Sequence, residues 1–487
     1  LRRMTVLAIV ALVGRMVVLF ALMMLVPLVF AWYDHDRGER AFLLGTGITL
    51  ACGIAMSLLT RRFRRELQPR DGFLLVGITW LLLPAFGSLP LLLAIPGLSV
   101  TDAYFEAMSG FTATGATVLS GLDKLPTSVN VWRCFMQFMG GLGIIVLAVA
   151  VLPLLGVGGS QLFKTETAGP LKDQKLTPRI ADTARGLWVI YAAFAIACTL
   201  AYRWAGMSWT DAFMHMCTTV SLGGLSPYDA SLGHFQSARV EAVAVVFMLL
   251  AGVNFLLYFV AWRQRSLRAI VANIEVRAYV FSLVAATLVI TAYLVATEAH
   301  ADVASALRYT AFHVVSVATT TGYATYDYAR WPMFASLLII LLGCFATCAG
   351  STGGGIKMVR MLLLLEQAKR ELVRIVHPNV VNPVTLGGNV VSPRVMQSVI
   401  AYMMLYGATL VTLTMLLLFT GLEPVTAFTA VIACVNNIGP GLGDVGPAVN
   451  YAGLSGVQTW ICTFAMMLGR LELLSVLVLL TPQFWRR

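Results

Sequence analysis

Apolar runs of roughly 20 residues recur along the whole chain, separated by short polar stretches. Runs such as 73–95, 278–297 and 396–421 are each long enough to span a bilayer. The pattern predicts ten spans, near 5–32, 41–60, 72–95, 130–157, 184–206, 236–262, 278–297, 333–356, 396–421 and 455–482. The first run is too long for a cleavable leader and lacks a small-residue cleavage site, which predicts a retained spanning helix. No stretch is long and polar enough to form a separate soluble domain, so a nucleotide-sensing or ATP-driven part would be another chain.

Four stretches interrupt the apolar pattern in one way. "TDAYFEAMSGFTATGATVLSGLD" begins at Thr101 and "TDAFMHMCTTVSLGGLSPYD" at Thr210; aligned without gaps, Gly115 falls on Gly224. "SVATTTGYATYDY" (316–328) carries "GYATYD" from Gly322, which matches "GLSPYD" from Gly224. "FTAVIACVNNIGPGLGDVG" puts Gly439 in the same place. A recurrence about every 100 residues marks large modules, not solenoid units. Each module reads as a spanning helix, a short helical segment, an extended Thr/Ser/Asn–Gly loop and a returning helix. The short segments open at the helix-start signals Thr101-Asp102, Thr210-Asp211, Asp302 and Glu423-Pro424. About ten moderately apolar residues follow, too few to cross a bilayer. The predicted architecture is an all-α integral membrane protein: a two-helix unit (1–66) and four repeats (67–165, 166–270, 271–380, 381–487) in pseudo-fourfold arrangement around one pore.

Charge refines this picture. Charged residues are 12% of the 487, about half the share of a soluble domain. The formal net charge of +11 is unevenly placed: 24 of the 34 Lys and Arg lie at the termini and in every second connection. That is the positive-inside bias; it predicts both termini in the cytoplasm and makes runs such as "RRFRREL" bilayer anchors, with no nucleic-acid partner. The eight cysteines lie mostly in apolar segments without paired CxxC spacing, which suits small buried hydrophobes better than zinc or disulfides.

Non-helical backbone at membrane depth is tolerated where protein or a water-filled path surrounds it. Four such loops about one axis would make a ring of backbone carbonyls, the chemistry that replaces a cation's hydration shell. Glycine permits the required backbone angles, and threonine hydroxyls can add oxygens or brace the loop. Each half-helix points its partly negative C-terminal end at the path, which also favours a cation.

With "EAMSGFTATGAT", "TTTGYATYD", "NNIGPGLG", "GSTGGGIK" and "GRLELL" in this four-module layout, the chain resembles the Trk/Ktr/HKT superfamily of potassium transporters, most of all the bacterial Trk-type uptake subunit. The resemblance covers nearly the whole chain, including two extra N-terminal helices. It implies filter residues at Thr112, Ala113, Thr114 and Gly115; Ser221, Leu222, Gly223 and Gly224; Thr319, Thr320, Thr321 and Gly322; and Asn436, Asn437, Ile438 and Gly439. The carbonyls of the two residues before each glycine are the implied contacts of a bound, transported K+. Leu222 departs from the Thr-rich chemistry, which weakens side-chain roles more than backbone selectivity. Glycine in all four loops resembles the potassium-preferring pattern. The resemblance also implies a homodimer in a bacterial cytoplasmic (inner) membrane and a cytoplasmic nucleotide-binding regulatory subunit, for which 158–185 and 357–394 are the expected docking segments.

Below the filter, "GCFATCAGSTGGGIK" interrupts the returning helix of the third module. Five glycines between Gly343 and Gly355 make no stable helix. With the resemblance, this predicts an intramembrane gate made by Gly343, Gly350, Ser351, Thr352, Gly353, Gly354, Gly355 and Lys357; the alternative is close helix packing through small residues. Ile356 before Lys357 excludes a phosphate-binding GxxxxGK[ST] loop. Arg470 lies inside an apolar segment, where a charge costs about 2.5–3.5 kcal/mol on insertion scales, so it should face a path or a partner. It is expected beside the gate as an electrostatic barrier; the alternative is a brace paired to carbonyls. His215 and His313 lack partners at ligand spacing and read as packing residues.

Other function classes fit less well. No HExxH, GxSxG or carboxylate pair with a basic partner points to an enzyme. A secondary transporter coupled to a proton or sodium gradient through broken helices is the serious alternative. The charge count gives all four modules one orientation, which favours a pore over two inverted halves.

Overall fold

The computed structural model describes residues 2–60, 62, 69–146, 180–300 and 302–486. The far end of the expected span 130–157 and most of the expected docking segment 158–185 lie outside the described residues. The chain is an all-α integral membrane protein. Among the described residues six helices are individually long and apolar enough to cross a membrane, and two bent pairs raise that to eight. Large apolar side chains such as Leu19, Ile196, Phe281, Met404 and Phe419 stand exposed on the outer faces, as a lipid-facing surface requires.

Two N-terminal spans, Leu7–Asp34 and Glu39–Leu59, precede the repeats. They cross closely because glycine sits at the crossing: a β-carbon built at Gly14 would stand 2.8 Å from Ser57 N, and one at Gly53 2.8 Å from Val18 N.

The four modules then follow in one order. Helices Pro69–Ala94, Ile180–Trp204, Ile274–Ala296 and Pro393–Phe419 enter. Half-helices Val100–Phe111, Trp209–Val220, Val303–Ala318 and Pro424–Val435 come next. Three have 12 residues and one 16, about 18–24 Å at 1.5 Å per residue. Helices beginning at Thr127, Ala238, Met333 and Gly456 return.

The half-helix starts are partly displaced from expectation. Asp302 and Glu423 are the N-caps of the third and fourth, accepting from Ser305 N and Thr426 N. In the first two, Ser99 and Ser208 are the caps, and Asp102 and Asp211 sit three residues inside. Each serine accepts the aspartate's amide at 3.0 Å and donates its hydroxyl to the same carboxylate at 2.7 Å. An aspartate in the first turn is favoured by the helix dipole, so it marks the start without being the cap.

Three returning helices are broken, the third as expected from its glycines and the second and fourth within the spans expected to be continuous, 236–262 and 455–482. The third returning helix stops at Gly343 and helix Met358–Val376 resumes only after the Gly-rich segment. The second breaks between Ala238–Ala251 and Phe255–Gln264, bent by 84°, and the fourth between Gly456–Arg470 and Leu473–Leu479, bent by 113°. Asn254 makes the second break a proper helix start, its side chain accepting from Leu256 N at 2.9 Å. The groups freed there are used: Cys348 N donates to Gly252 O and Phe255 N to Gly350 O, both at 3.0 Å. Outside the helices, Thr385–Leu386 and Asn389–Val390 form a small antiparallel hairpin.

Candidate functional site: a ring of four loops

Each half-helix runs directly into its loop, and the four loops share one backbone. The first residue closes the helix: φ is −80° at Thr112, −79° at Ser221, −80° at Thr319 and −94° at Asn436. The second is left-handed without being glycine: Ala113 at 50°, Leu222 at 55°, Thr320 at 63° and Asn437 at 54°. At Thr114, Gly223, Thr321 and Ile438 φ is negative again, and at Gly115, Gly224, Gly322 and Gly439 it is 86°, 74°, 84° and 95°. The loops are therefore not simple extended strands, as the sequence suggests. In a strand successive carbonyls point to opposite sides; a backbone alternating in the sign of φ turns them to the same side. Leu222 fits this pattern like its counterparts, because backbone angle and not side-chain type defines the position.

The amides of the loops turn back to the half-helices. Thr114 N donates to Ser109 O, Gly223 N to Thr218 O, Thr321 N to Ser316 O and Ile438 N to Ala433 O, at 2.8–2.9 Å. This caps the helix ends and leaves the loop carbonyls for other work. The loops meet in a closed cycle. A β-carbon built at Gly115 would stand 2.2 Å from Gly223 O, at Gly224 1.8 Å from Thr321 O, at Gly322 2.1 Å from Ile438 O, and at Gly439 2.7 Å from Thr114 O. Each glycine thus makes room for the carbonyl of the next loop, and the fourth returns to the first. Side chains brace rather than line this ring: Thr112 and Thr114 hydroxyls bond each other at 2.7 Å, Thr319 and Thr321 at 2.8 Å. Asn437 Nδ2 donates to Thr114 Oγ1 at 2.9 Å, joining fourth module to first. Tyr406 donates to Asn436 Oδ1 at 3.0 Å. Gly223 stands where Thr114, Thr321 and Ile438 stand elsewhere because Gln137 fills that space, donating to Gly223 O at 2.7 Å and accepting from Leu225 N at 3.1 Å.

Three further braces, one in each of the first three modules, carry no signal in ligand spacing. Glu106, His215 and His313 each lie nine residues before the loop glycine, and each holds the segment that follows it. Glu106 accepts from Thr117 Oγ1 and Val118 N. His215 donates Nδ1–H to Asp211 O, leaving Nε2 to accept from Ser226 Oγ. His313 does the same with Tyr309 O, and its Nε2 accepts the amides of Thr325 and Tyr326. The two histidines are fully buried structural groups. Glu106 is also paired to Arg133 Nε at 2.6 Å with both side chains completely buried. Arg133 reaches Ser226 O and Thr117 Oγ1, so it stitches the first two modules together. Removing one partner leaves an uncompensated buried charge, a loss of about 3–5 kcal/mol. Glu106→Ala is therefore expected to lower the Tm of the detergent-solubilised protein strongly, while Glu106→Ala with Arg133→Met recovers part of the loss. A Tm within a degree or two of wild type for the single variant would contradict this.

On one side of the ring the loops open into a cavity of about 250 Å³. All four ring glycines, Arg133 and Asp229 line it; Asp229 accepts from the amides of Gly121 and Leu122.

On the other side lies the segment from Gly343 to Lys357. Gly354 N donates to Thr320 Oγ1 at 2.8 Å, and Thr352 Oγ1 donates to Val220 O at 3.0 Å. β-carbons built at Gly353 and Gly354 would lie 3.1 Å from Thr319 O and 2.1 Å from Asn436 O. The segment is thus pressed against the bases of the second, third and fourth loops. Gly343 packs where a β-carbon would stand 2.8 Å from Val317 O, and Ser351 donates to Cys348 O. Arg470 is 3% exposed; its guanidinium donates to Thr352 O at 2.8 Å and to Gly140 O at 3.3 Å. It therefore ties the segment to the first and fourth modules. Lys357 donates to Gly353 O. Glu472, which the break separates from Arg470, pairs with Arg360 at 3.1 Å. All eight cysteines are free thiols.

Four half-helices, four matched loops and one closed ring define a single-chain, pseudo-fourfold membrane pore. Known proteins place it more closely. The TrkH family model, described as cation transport protein, matches residues 38–487. A Trk system potassium uptake protein TrkH from Halomonas elongata is 42% identical over 97% of this chain and 98% of its own. Its namesake from Escherichia coli strain K12 is 41% identical over 98% and 99%. A crystal structure of the potassium transporter TrkH from Vibrio parahaemolyticus superposes with a TM-score of 0.91 at 40% identity, covering 99% of both chains. The chain belongs to the TrkH family of cation transport proteins.

Proposed function

We propose that this chain takes up potassium across a bacterial cytoplasmic membrane through the four-loop ring, with the Gly343–Lys357 segment as its gate. The observation that carries the reading is the cycle of glycines, each left-handed and each yielding space to the next loop's carbonyl. A potassium ion gives up its hydration shell to such carbonyls. The names of the Trk relatives support potassium as the cargo. The single order of the four modules supports a pore rather than inverted halves. The cavity is the external mouth, both termini are cytoplasmic, and unit boundaries fall near 66, 165, 270 and 380. The chain works as a homodimer with a nucleotide-binding regulatory subunit, docked on the cytoplasmic 357–394 region and the segment 158–185. The test is potassium against sodium flux through purified protein in liposomes under imposed ion gradients. Potassium-selective flux supports the reading; equal flux of both ions, or flux only with a proton or sodium gradient, contradicts it.

The gate assignment has its own test. Deleting Gly350 to Gly355 is expected to raise basal potassium flux, because the constriction goes while the ring stays. A folded deletion protein of unchanged oligomeric state that conducts no more than wild type would make the segment a packing element.

A further inference from the structure

The segment beneath the ring leaves one helix at Gly343 and joins the next at Met358. One side-chain oxygen holds its two shoulders. Glu275 Oε1 accepts Ala349 N–H at 2.7 Å and Val359 N–H at 3.2 Å. These amides are ten residues apart in sequence and flank the glycines between them. Glu275 is in the first turn of Ile274–Ala296, where Asn273 caps the helix by accepting from Glu275 N and Val276 N. A carboxylate is favoured at that end of the dipole, and its bonds to amides are charge-assisted. It is 4% exposed. The first shoulder is held again by the second module's break, through Cys348 N to Gly252 O and Phe255 N to Gly350 O.

Between the shoulders the backbone is left-handed at Gly350 (73°), Gly355 (83°) and Lys357 (78°). Ser351 to Gly354 therefore form a short flap between two turns. The flap meets the ring through Thr352 and Gly354, and Arg470 through Thr352 O. Glu275 touches neither the flap nor the ring loops in any of these bonds. It fixes the frame from which the flap hangs.

We infer that Glu275 is a positioning residue of the gate: its single carboxylate oxygen clamps both shoulders of the Gly-rich segment and so seats the flap beneath the filter. The inference rests on the gate reading above. Without the clamp the shoulders part, the flap loses its seat, and potassium leaks through an unaltered ring. A glutamine keeps a carbonyl oxygen with two lone pairs, which can accept both amides; alanine and methionine cannot.

The test uses the full chain, purified and reconstituted in liposomes, with Glu275→Ala, Glu275→Gln, Glu275→Met and the Gly350–Gly355 deletion. Methionine keeps the buried volume, so it is read if the alanine variant does not fold. The expected result is basal potassium flux raised about tenfold in Ala or Met, equivalent to about 1.4 kcal/mol, with the potassium-to-sodium ratio unchanged. Gln should stay near wild type, and the deletion should leak equally with or without Glu275→Ala. If the deletion leaks but folded Ala or Met does not, or if Gln leaks like Ala, the clamp is wrong and the gate stands. If neither the deletion nor the Glu275 variants leak, the gate reading falls first and the clamp with it. A fall in the ion ratio equal to the gain in flux would also overturn the clamp, because it would place Glu275 in support of the ring.

Discussion

Gly224→Ala is expected to collapse potassium-over-sodium discrimination by at least about tenfold, equivalent to about 1.4 kcal/mol, and to be the most severe of the four ring glycine-to-alanine changes. Its added carbon would fall 1.8 Å from Thr321 O, a backbone atom that has no flexible end to move. Its φ of 74° adds the left-handed penalty of an L-residue, about 1–2 kcal/mol. The strain can be relieved only by displacing a carbonyl of the ring. The same geometry ranks the others: Gly322 at 2.1 Å and Gly115 at 2.2 Å next, Gly439 at 2.7 Å mildest. Gly115→Ser should lower discrimination for the same reason, by pressing on Gly223 O. The ion ratio is read from paired fluxes in liposomes, with expression and Tm as controls. Unchanged ratios in folded Gly224→Ala, or Gly439→Ala as the worst variant, would dismiss the carbonyl ring as the filter.

Arg470→Ala is expected to raise potassium flux more than tenfold, because two restraints vanish together. The guanidinium holds Thr352 O and Gly140 O, so its loss unpins the flap. A fixed positive charge near the path also opposes an entering cation; at about 6 Å and an effective dielectric near 20 this is about 3 kcal/mol. Arg470→Lys keeps the charge but lacks the planar fork that reaches two carbonyls. It should fall between wild type and Ala. Reduced flux in folded Ala, or identical behaviour of Lys and Ala, would make Arg470 a brace without a barrier role.

Arg470 donates to two carbonyls, the geometry of the brace reading, while the barrier reading rests on the flux prediction above. The sequence could not show this, because the partners at Thr352 and Gly140 come from 118 and 330 residues away. The ring, by contrast, was legible. A glycine that must yield its β-carbon position to a neighbour's carbonyl recurs visibly, as do the Thr and Asn that brace it. The alternation of φ was hidden, since Ala113, Leu222, Thr320 and Asn437 share no side-chain type. The third broken helix announced itself through five glycines. The second and fourth did not: "AGVN" holds one glycine, and Leu471-Glu472 holds none. Those breaks are set by tertiary bonds, Gly252 O to Cys348 N and Glu472 to Arg360. Glu106 does carry a signal in the sequence, the shared spacing of nine residues that links Glu106, His215 and His313 to their glycines; its partner Arg133 carries none.

The most direct measurement is anomalous scattering from crystals of the protein grown with rubidium or thallium(I), which are potassium stand-ins visible at their absorption edges. A peak is expected on the axis of the ring, bounded by the carbonyls of Thr114, Gly223, Thr321 and Ile438, that excess potassium weakens more than the same excess of sodium does. No peak inside the ring of well-ordered crystals, or one displaced equally by sodium and potassium, would contradict it.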